Sequence, residues 1–151
     1  MEHLVRRATP ADQQIITRLV RQARLNPRSL HWDRFVVAEA DGDVFGVAQV
    51  RRHRDGSLEL ASLVVRPDAR GRGVAGNMIE MLMDGEIGPI FMLTDRRFAD
   101  HYQRWGFRPV APSDLPGTMR RQLRIGRLAT AVGSLIVRRR IRLVALRREA
   151  R

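Results

Sequence analysis

The stretch that most limits what this chain can become runs from Ser57 to Gly85, SLELASLVVRPDARGRGVAGNMIEMLMDG. Leu58 to Val65 is apolar and β-branched and reads as a buried strand. Pro67 ends the ladder because it has no N–H to donate. Arg70 to Gly76, RGRGVAG, is a glycine-rich basic turn. Ala75, Met78, Ile79, Leu82 and Met83 then recur at helical spacing. Strand, glycine-rich turn and helix make an anion-binding layout. The first N–H groups of a helix lack an intrahelical partner, and its dipole favours negative charge there. Gly71 and Gly73 carry no Cβ, so an anion can approach the backbone. Arg70 and Arg72 add charge-assisted donors. The chain has no Lys, so the P-loop fingerprint is excluded. An ordinary strand-to-helix turn with solvated arginines fits the same letters.

The rest of the chain supplies the context. His3 to Ala8 is a strand. Thr9-Pro10 starts a helix, with Thr9 at the cap and Pro10 in the first turn. Ile15, Ile16, Leu19, Val20 and Ala23 mark its buried face up to about Leu25. Asn26-Pro27 ends it, and residues 28–34 are a connection. Phe35 to Glu39 is a strand, Asp41-Gly42-Asp43 a hairpin turn, and Val44 to Arg51 the second arm. Arg54-Asp55-Gly56 turns into the central strand, which completes an antiparallel meander. Pro89 to Thr94 is an apolar strand reached by a right-handed crossover, hence parallel to the central one. Arg96 to Trp105 is a short helix capped by Gly106, and Phe107 to Val110 is a further strand.

Two local patterns in this order carry a family resemblance. Arg70-x-x-Gly73-x-Ala75, introduced by Val65-x-Pro67, resembles the acetyl-coenzyme A signature of the GNAT superfamily of N-acetyltransferases. Tyr102-Gln-Arg-Trp-Gly106-Phe107 contains the family's Y-x-x-x-G-F ending before the sixth strand. The resemblance spans about residues 3–110. It implies an α/β GNAT-like acyltransferase fold, a mixed sheet of about seven strands splayed between the fourth and fifth. It also implies a single domain over residues 1–151. The segment FMLTDRRFADHYQRWGF further resembles the amino-acid acetyltransferases related to N-acetylglutamate synthase.

The resemblance implies roles for individual residues. The backbone of Leu63, Val64 and Val65 would pair with the pantetheine arm of acetyl-CoA. One of the Leu63 and Val65 N–H groups would polarise the thioester oxygen. Arg70, Gly71, Arg72, Gly73, Val74, Ala75 and Gly76 would hold the diphosphate. Tyr102 is the candidate general acid for the departing thiolate, against a core aromatic with a bonded hydroxyl. Glu59, eleven residues before Arg70, is the candidate general base, against a solvated carboxylate at a strand end. Direct attack by the amine needs no protein nucleophile, which suits a chain without cysteine. Asp95, Arg96 and Arg97 follow the fifth strand where acceptor or cofactor would be met. Many relatives have an Asn there and this chain has none. Arg28, His31, Trp32 and Arg34 lie in the loop that would roof the acceptor; a roof arginine would suit a carboxylate.

Charge separates the chain into two parts. Residues 1–115 hold 17 Arg against 15 acidic residues, and residues 116–151 hold 11 Arg against one, out of a net +12. Ile125, Leu128, Ala129, Val132 and Leu135 or Ile136 fit one long or two short helices over about 116–138, a basic insertion. Gly126 and Gly133 oppose it by about 1 kcal/mol each. The last strand is expected at about 140–148. The insertion packs on the protein's own core or a dimer mate in the favoured reading. An anionic membrane surface and nucleic acid are the others, with Arg138 to Arg140 as the densest cluster. The four histidines lack metal-ligand spacing, so no metal is expected. No run approaches 18 apolar residues and no signal-peptide core opens the chain, so a cytoplasmic protein is expected.

The expected function is transfer of the acetyl group of acetyl-CoA to the primary amine of a small molecule. A protein lysine or N-terminus is an alternative acceptor. The alternative of another class is a coenzyme A-binding module without catalysis, whose basic tail docks to a partner.

Overall fold

The computed structural model describes residues 2–136 and 141–149. Seven strands form one open mixed sheet: β1 (Leu4–Arg7), β2 (Phe35–Ala40), β3 (Asp43–Arg52), β4 (Leu58–Val65), β5 (Ile90–Asp95), β6 (Arg108–Pro109) and β7 (Leu143–Arg148). Their order is β1-β2-β3-β4-β5-β7-β6. The helices are α1 (Gln13–Gln22), α2 (Val74–Asp84) and α3 (Gly117–Ile136). The chain divides into two compact units, residues 1–51 with 60–86, and residues 52–59 with 87–151. Strand β4 therefore runs from the second unit into the first.

In the first unit β1, β2 and β3 are antiparallel, with Leu4 opposite Glu39 and Phe35 opposite Gln49. Asp41 and Gly42 join β2 to β3 at φ 51° and 79°, the left-handed pair a tight two-residue hairpin needs. Ile16, Leu19 and Val20 of α1 bury against Phe35, Val37, Val44, Val47 and Val64. Helix α2 buries Val74, Met78, Ile79, Leu82 and Met83. Gly46 lets β3 run close beneath it: a Cβ there would lie 3.1 Å from Met78 Cε and 3.3 Å from Val74 Cγ1.

The start of α1 is fixed by charge. Thr9 precedes a 3₁₀ turn, Pro10–Asp12, and its N–H donates to Asp12 Oδ2 at 2.7 Å. Arg6 bridges Asp12 at 2.8 Å and Glu39 at 2.7 Å. The Arg6 hydrogen bond, helped by Thr9 and opposed by burial, holds the Asp12 carboxyl below its ordinary value. A group depressed in the folded state adds stability above its unfolded pKa, and loses it as pH falls through the folded one. Asp12→Asn should therefore cost about 1–2 kcal/mol in denaturant unfolding at pH 7. The gap to the wild type should close below about pH 4; a gap unchanged at acid pH would contradict the assignment.

In the second unit β7 lies between β5 and β6, antiparallel to both, with Phe91 opposite Arg147 and Arg108 opposite Arg147. Strand β4 joins β5 in parallel, Leu58 opposite Ile90 and Glu59 opposite Phe91. Phe91, Leu115, Met119, Leu123 and Ala145 form the core. The insertion is one helix, α3. Its Gly126 has a packing reason that outweighs its helix cost: a Cβ there would sit 2.7 Å from Leu143 Cδ1. Two of its arginines serve the fold. Arg120 donates to the carbonyls of Pro112, Ser113 and Leu115, and Arg127 to that of Leu143. Residues Arg96–Trp105 form a 3₁₀ helix, closed by Gly106 at φ 83°. The expected strand 107–110 shortens to Arg108–Pro109, though Val110 N–H still reaches Ala145 O at 3.1 Å. The Arg138–Arg140 cluster and the first residue of the strand expected at 140 lie outside the described residues.

Candidate functional site

The elbow after β4 belongs to the first unit. A 3₁₀ turn, Pro67–Ala69, leads from β4 to residues 70–73 and then to α2. Gly71 and Gly73 both stand at φ 76°, in the left-handed region. Gly73 is the N-cap of α2, and its carbonyl accepts the first helical bond from Asn77 N–H at 3.1 Å. Helix geometry leaves the N–H groups of Val74, Ala75 and Gly76 without intrahelical acceptors. A Cβ built on Gly71 or Gly73 would meet nothing within 4 Å. The positive φ values are thus backbone requirements, and the space beside both glycines suits an anion at the helix start.

Arginines around the elbow divide their work. Arg66 is held by Asp43 and Asp68, each at 2.7 Å. Arg70 Nε donates to Val65 O at 2.9 Å and ties the turn to the end of β4. Val64 is buried, and Leu63 and Val65 are half-buried. Just before them Ser62 takes φ 55° inside the strand, a left-handed conformation that sequence reasoning missed. Its hydroxyl accepts from the buried Gln49 Nε2 at 3.0 Å. The letters from Gly71 to Gly76 also satisfy the spacing of a dinucleotide-binding turn. That motif opens the first crossover of a parallel sheet; here β4, α2 and β5 do make a parallel crossover, but the antiparallel strands β1, β2 and β3 precede it.

The loop expected to roof the acceptor is fastened within the same unit. Gln13 donates to Leu30 O at 2.7 Å and accepts from Trp32 N–H at 2.9 Å. Arg51 donates to Arg28 O at 3.1 Å, and Gln49 to Ser29 O at 3.2 Å. His31 pairs with Asp33 at 2.7 Å. Among the roof residues Arg28, His31 and Arg34 are exposed, and Trp32 is half-buried.

The two candidate acid–base groups lie in the second unit. Glu59 is no solvated strand end: its side chain is 9% exposed and that of His53 8%, with Nε2 and Oε2 2.8 Å apart. His53 was visible in the sequence only as a residue across the Asp55-Gly56 turn from Glu59. Tyr102 is half-buried on the 3₁₀ helix, and its hydroxyl bonds Thr94 of β5. Burial raises its pKa above the ordinary phenol value, and the Thr94 bond opposes that in part. The phenol therefore keeps its proton at neutral pH. Phe107 and Trp105 pack against its ring, with centroids 6.4 and 6.2 Å away. Asp95 caps Arg97 N–H at 3.1 Å and pairs with its guanidinium at 2.6 Å. Among the described residues no three His, Cys, Asp or Glu side chains could hold a metal ion, and no helix is long and apolar enough to cross a membrane.

A family model described as acetyltransferase (GNAT) domain matches residues 31–109. The chain belongs to the GNAT acetyltransferase family. The matched GNAT segment contains Glu59, the elbow and Tyr102; α3 and β7 lie beyond it. No curated protein sequence matches the chain. Among solved structures, N-acetylglutamate synthase from Neisseria gonorrhoeae, complexed with coenzyme A and N-acetyl-glutamate, superposes with a TM-score of 0.77 at 21% identity. That superposition covers 100% of this chain and 36% of that one. Rv2747 from Mycobacterium tuberculosis, in complex with CoA and NLQ, gives 0.71 at 21% identity, covering 98% and 99%. Diaminobutyrate acetyltransferase EctA from Paenibacillus lautus, in complex with L-2,4-diaminobutyric acid and coenzyme A, gives 0.59 at 18%, covering 77% and 87%. This chain spans about a third of the length of the synthase. At these identities the likeness establishes the GNAT fold.

Proposed function

We propose that residues 1–151 act as one N-acetyltransferase domain that moves the acetyl group of acetyl-CoA to the primary amine of a small molecule, an amino acid before other amines. The observation that carries this reading is the elbow. Two left-handed glycines stand beside open space at the start of α2, in a chain of the GNAT family. The amino-acid preference rests on relatives named for glutamate and diaminobutyrate chemistry.

Acetyl-CoA supplies an activated acyl thioester. The N–H groups of Gly71 to Gly76 and the Arg72 side chain bind its diphosphate, while Arg70 holds the turn. The backbone of Leu63 to Val65 orients the pantetheine arm. One N–H there, of Leu63 or Val65, donates to the carbonyl oxygen as it gains charge. Glu59 takes a proton from the acceptor ammonium, which frees the nitrogen lone pair for the carbonyl carbon. Tyr102 gives its proton to the sulfur as the carbon–sulfur bond breaks. The nitrogen of the tetrahedral adduct gives up its second proton to water as the amide forms, and that is the one proton released per turnover; solvent exchange moves the Glu59 proton back to Tyr102 and resets both side chains.

Thiol release from acetyl-CoA should appear with a panel of L-glutamate, L-2,4-diaminobutyrate, other amino acids, polyamines and lysine peptides. Turnover confined to amino acids is the expected result. Turnover of peptides alone would move the acceptor to protein. Tight coenzyme A binding with no turnover on any amine would replace the enzyme by a binding module.

A further inference from the structure

We infer that His53 is a positioning residue for the reaction: its imidazole fixes the Glu59 carboxylate in the orientation a base needs. This rests on the proposed function, in which Glu59 receives the amine proton. The two side chains meet at 2.8 Å, each more than nine-tenths buried. A carboxylate offers only acceptors, so an ionised Glu59 requires a proton on His53 Nε2. That bond selects one ring tautomer and one carboxylate rotation.

The support behind His53 is dense for a hairpin turn. His53 N–H donates to Ser57 O at 2.9 Å, and Gly56 N–H to His53 O at 3.0 Å. Gly56 stands at φ 83°, where other residues are strained. Asp55 Oδ1 accepts from the hydroxyl and N–H of Ser57 at 2.6 and 3.1 Å. Its other oxygen accepts from Thr118 N–H, in the first turn of α3, at 3.3 Å. Phe91, opposite Glu59 on β5, packs with Met119 of the same helix turn. The basic helix inserted before the last strand thus braces the turn that carries His53. These bonds fix the backbone of the turn, and with it the Cα from which the imidazole reaches Glu59. They fit a carboxylate that must be held within a fraction of an ångström, because misplacement by about 1 Å can cost a hundredfold in rate.

The test compares His53→Leu, His53→Gln, His53→Asn and Glu59→Gln with the wild-type chain, using the fastest amino acid of the panel as acceptor. Gln carries an N–H close to the place of Nε2; Asn ends near Nδ1 and falls short; Leu carries no donor. His53→Leu and His53→Asn should lower kcat at least tenfold and leave the KM for acetyl-CoA within twofold. His53→Gln should recover most of kcat. A role in folding alone would move Tm and leave kcat per folded molecule unchanged. Unchanged kcat in both His53→Leu and His53→Asn, beside an inactive Glu59→Gln, would overturn the role of His53 and leave the base in place. Full activity in Glu59→Gln would overturn the base and the positioning role together. If His53→Leu does not fold, the Gln and Asn pair decides, because both are polar and only one reaches Oε2.

Discussion

Tyr102→Phe should lower kcat by about a hundredfold or more, with a small loss of stability. General acids contribute about 10²–10⁴ to rates, and the change removes a single oxygen. The ring keeps its place against Trp105 and Phe107, whose centroids lie 6.2 and 6.4 Å away. The lost bond to Thr94 costs about 1 kcal/mol. Burial pushes the phenol above its ordinary value, so the proton is in place throughout the neutral range. The same shift makes Tyr102 a weaker acid than a free phenol. As the proposed acid it would therefore act while the carbon–sulfur bond is breaking and the sulfur becomes basic. Two consequences are measurable in the kcat profile: no loss of activity assigned to Tyr102 below about pH 10, and none gained by replacing it. An undiminished kcat in Tyr102→Phe would return the residue to the core.

Gly73→Val should raise the dissociation constant for coenzyme A about 10- to 100-fold, the effect of losing about 1.5–3 kcal/mol of charge-assisted backbone contact to phosphate. A Cβ there would meet no atom beyond its chain neighbours within 4 Å. The steric conflict would thus be with the ligand alone. The backbone conflict is separate, since a β-branched residue at φ 76° costs about 1–2 kcal/mol. Gly42→Val is the matched control. Gly42 stands at φ 79° with equally open surroundings, in the β2–β3 turn. Both variants should lose similar Tm, and only Gly73→Val should lose coenzyme A in a calorimetric titration. Equal affinities in the two variants would take the diphosphate away from the elbow.

Residues 116–151 carry 11 Arg against one acidic residue, a charge that a surface for anions would also have. Arg120 and Arg127 instead satisfy four main-chain carbonyls between them, those of Pro112, Ser113, Leu115 and Leu143. An Arg fork suits this work because several donors share one plane. Part of the charge excess is therefore structural.

Where a residue's role is local, the amino-acid order was enough. Leu58–Val65 was read to the residue, and α2 to within one turn, because β-branching, Pro67 and the spacing of Met78, Ile79, Leu82 and Met83 act over a few positions. Gly71 and Gly73 were legible as the glycines of a turn before a helix; that both stand at φ 76° is a finding of the structure. The place of β7 between β5 and β6 was not legible, because strand order depends on which edges close over the core and not on the strand's own letters. Ser62 was not legible either: nothing in the strand's letters marks a φ of 55°, and its hydroxyl meets Gln49, thirteen residues away on β3. The same holds for Glu59. Its sequence position proposed a base, but burial beside His53 arises only when the Asp55-Gly56 turn folds back under α3 and brings two polar side chains out of water together. Local periodicity dictated the elements and the glycine turn before α2; long-range closure decided which polar groups lost their solvent.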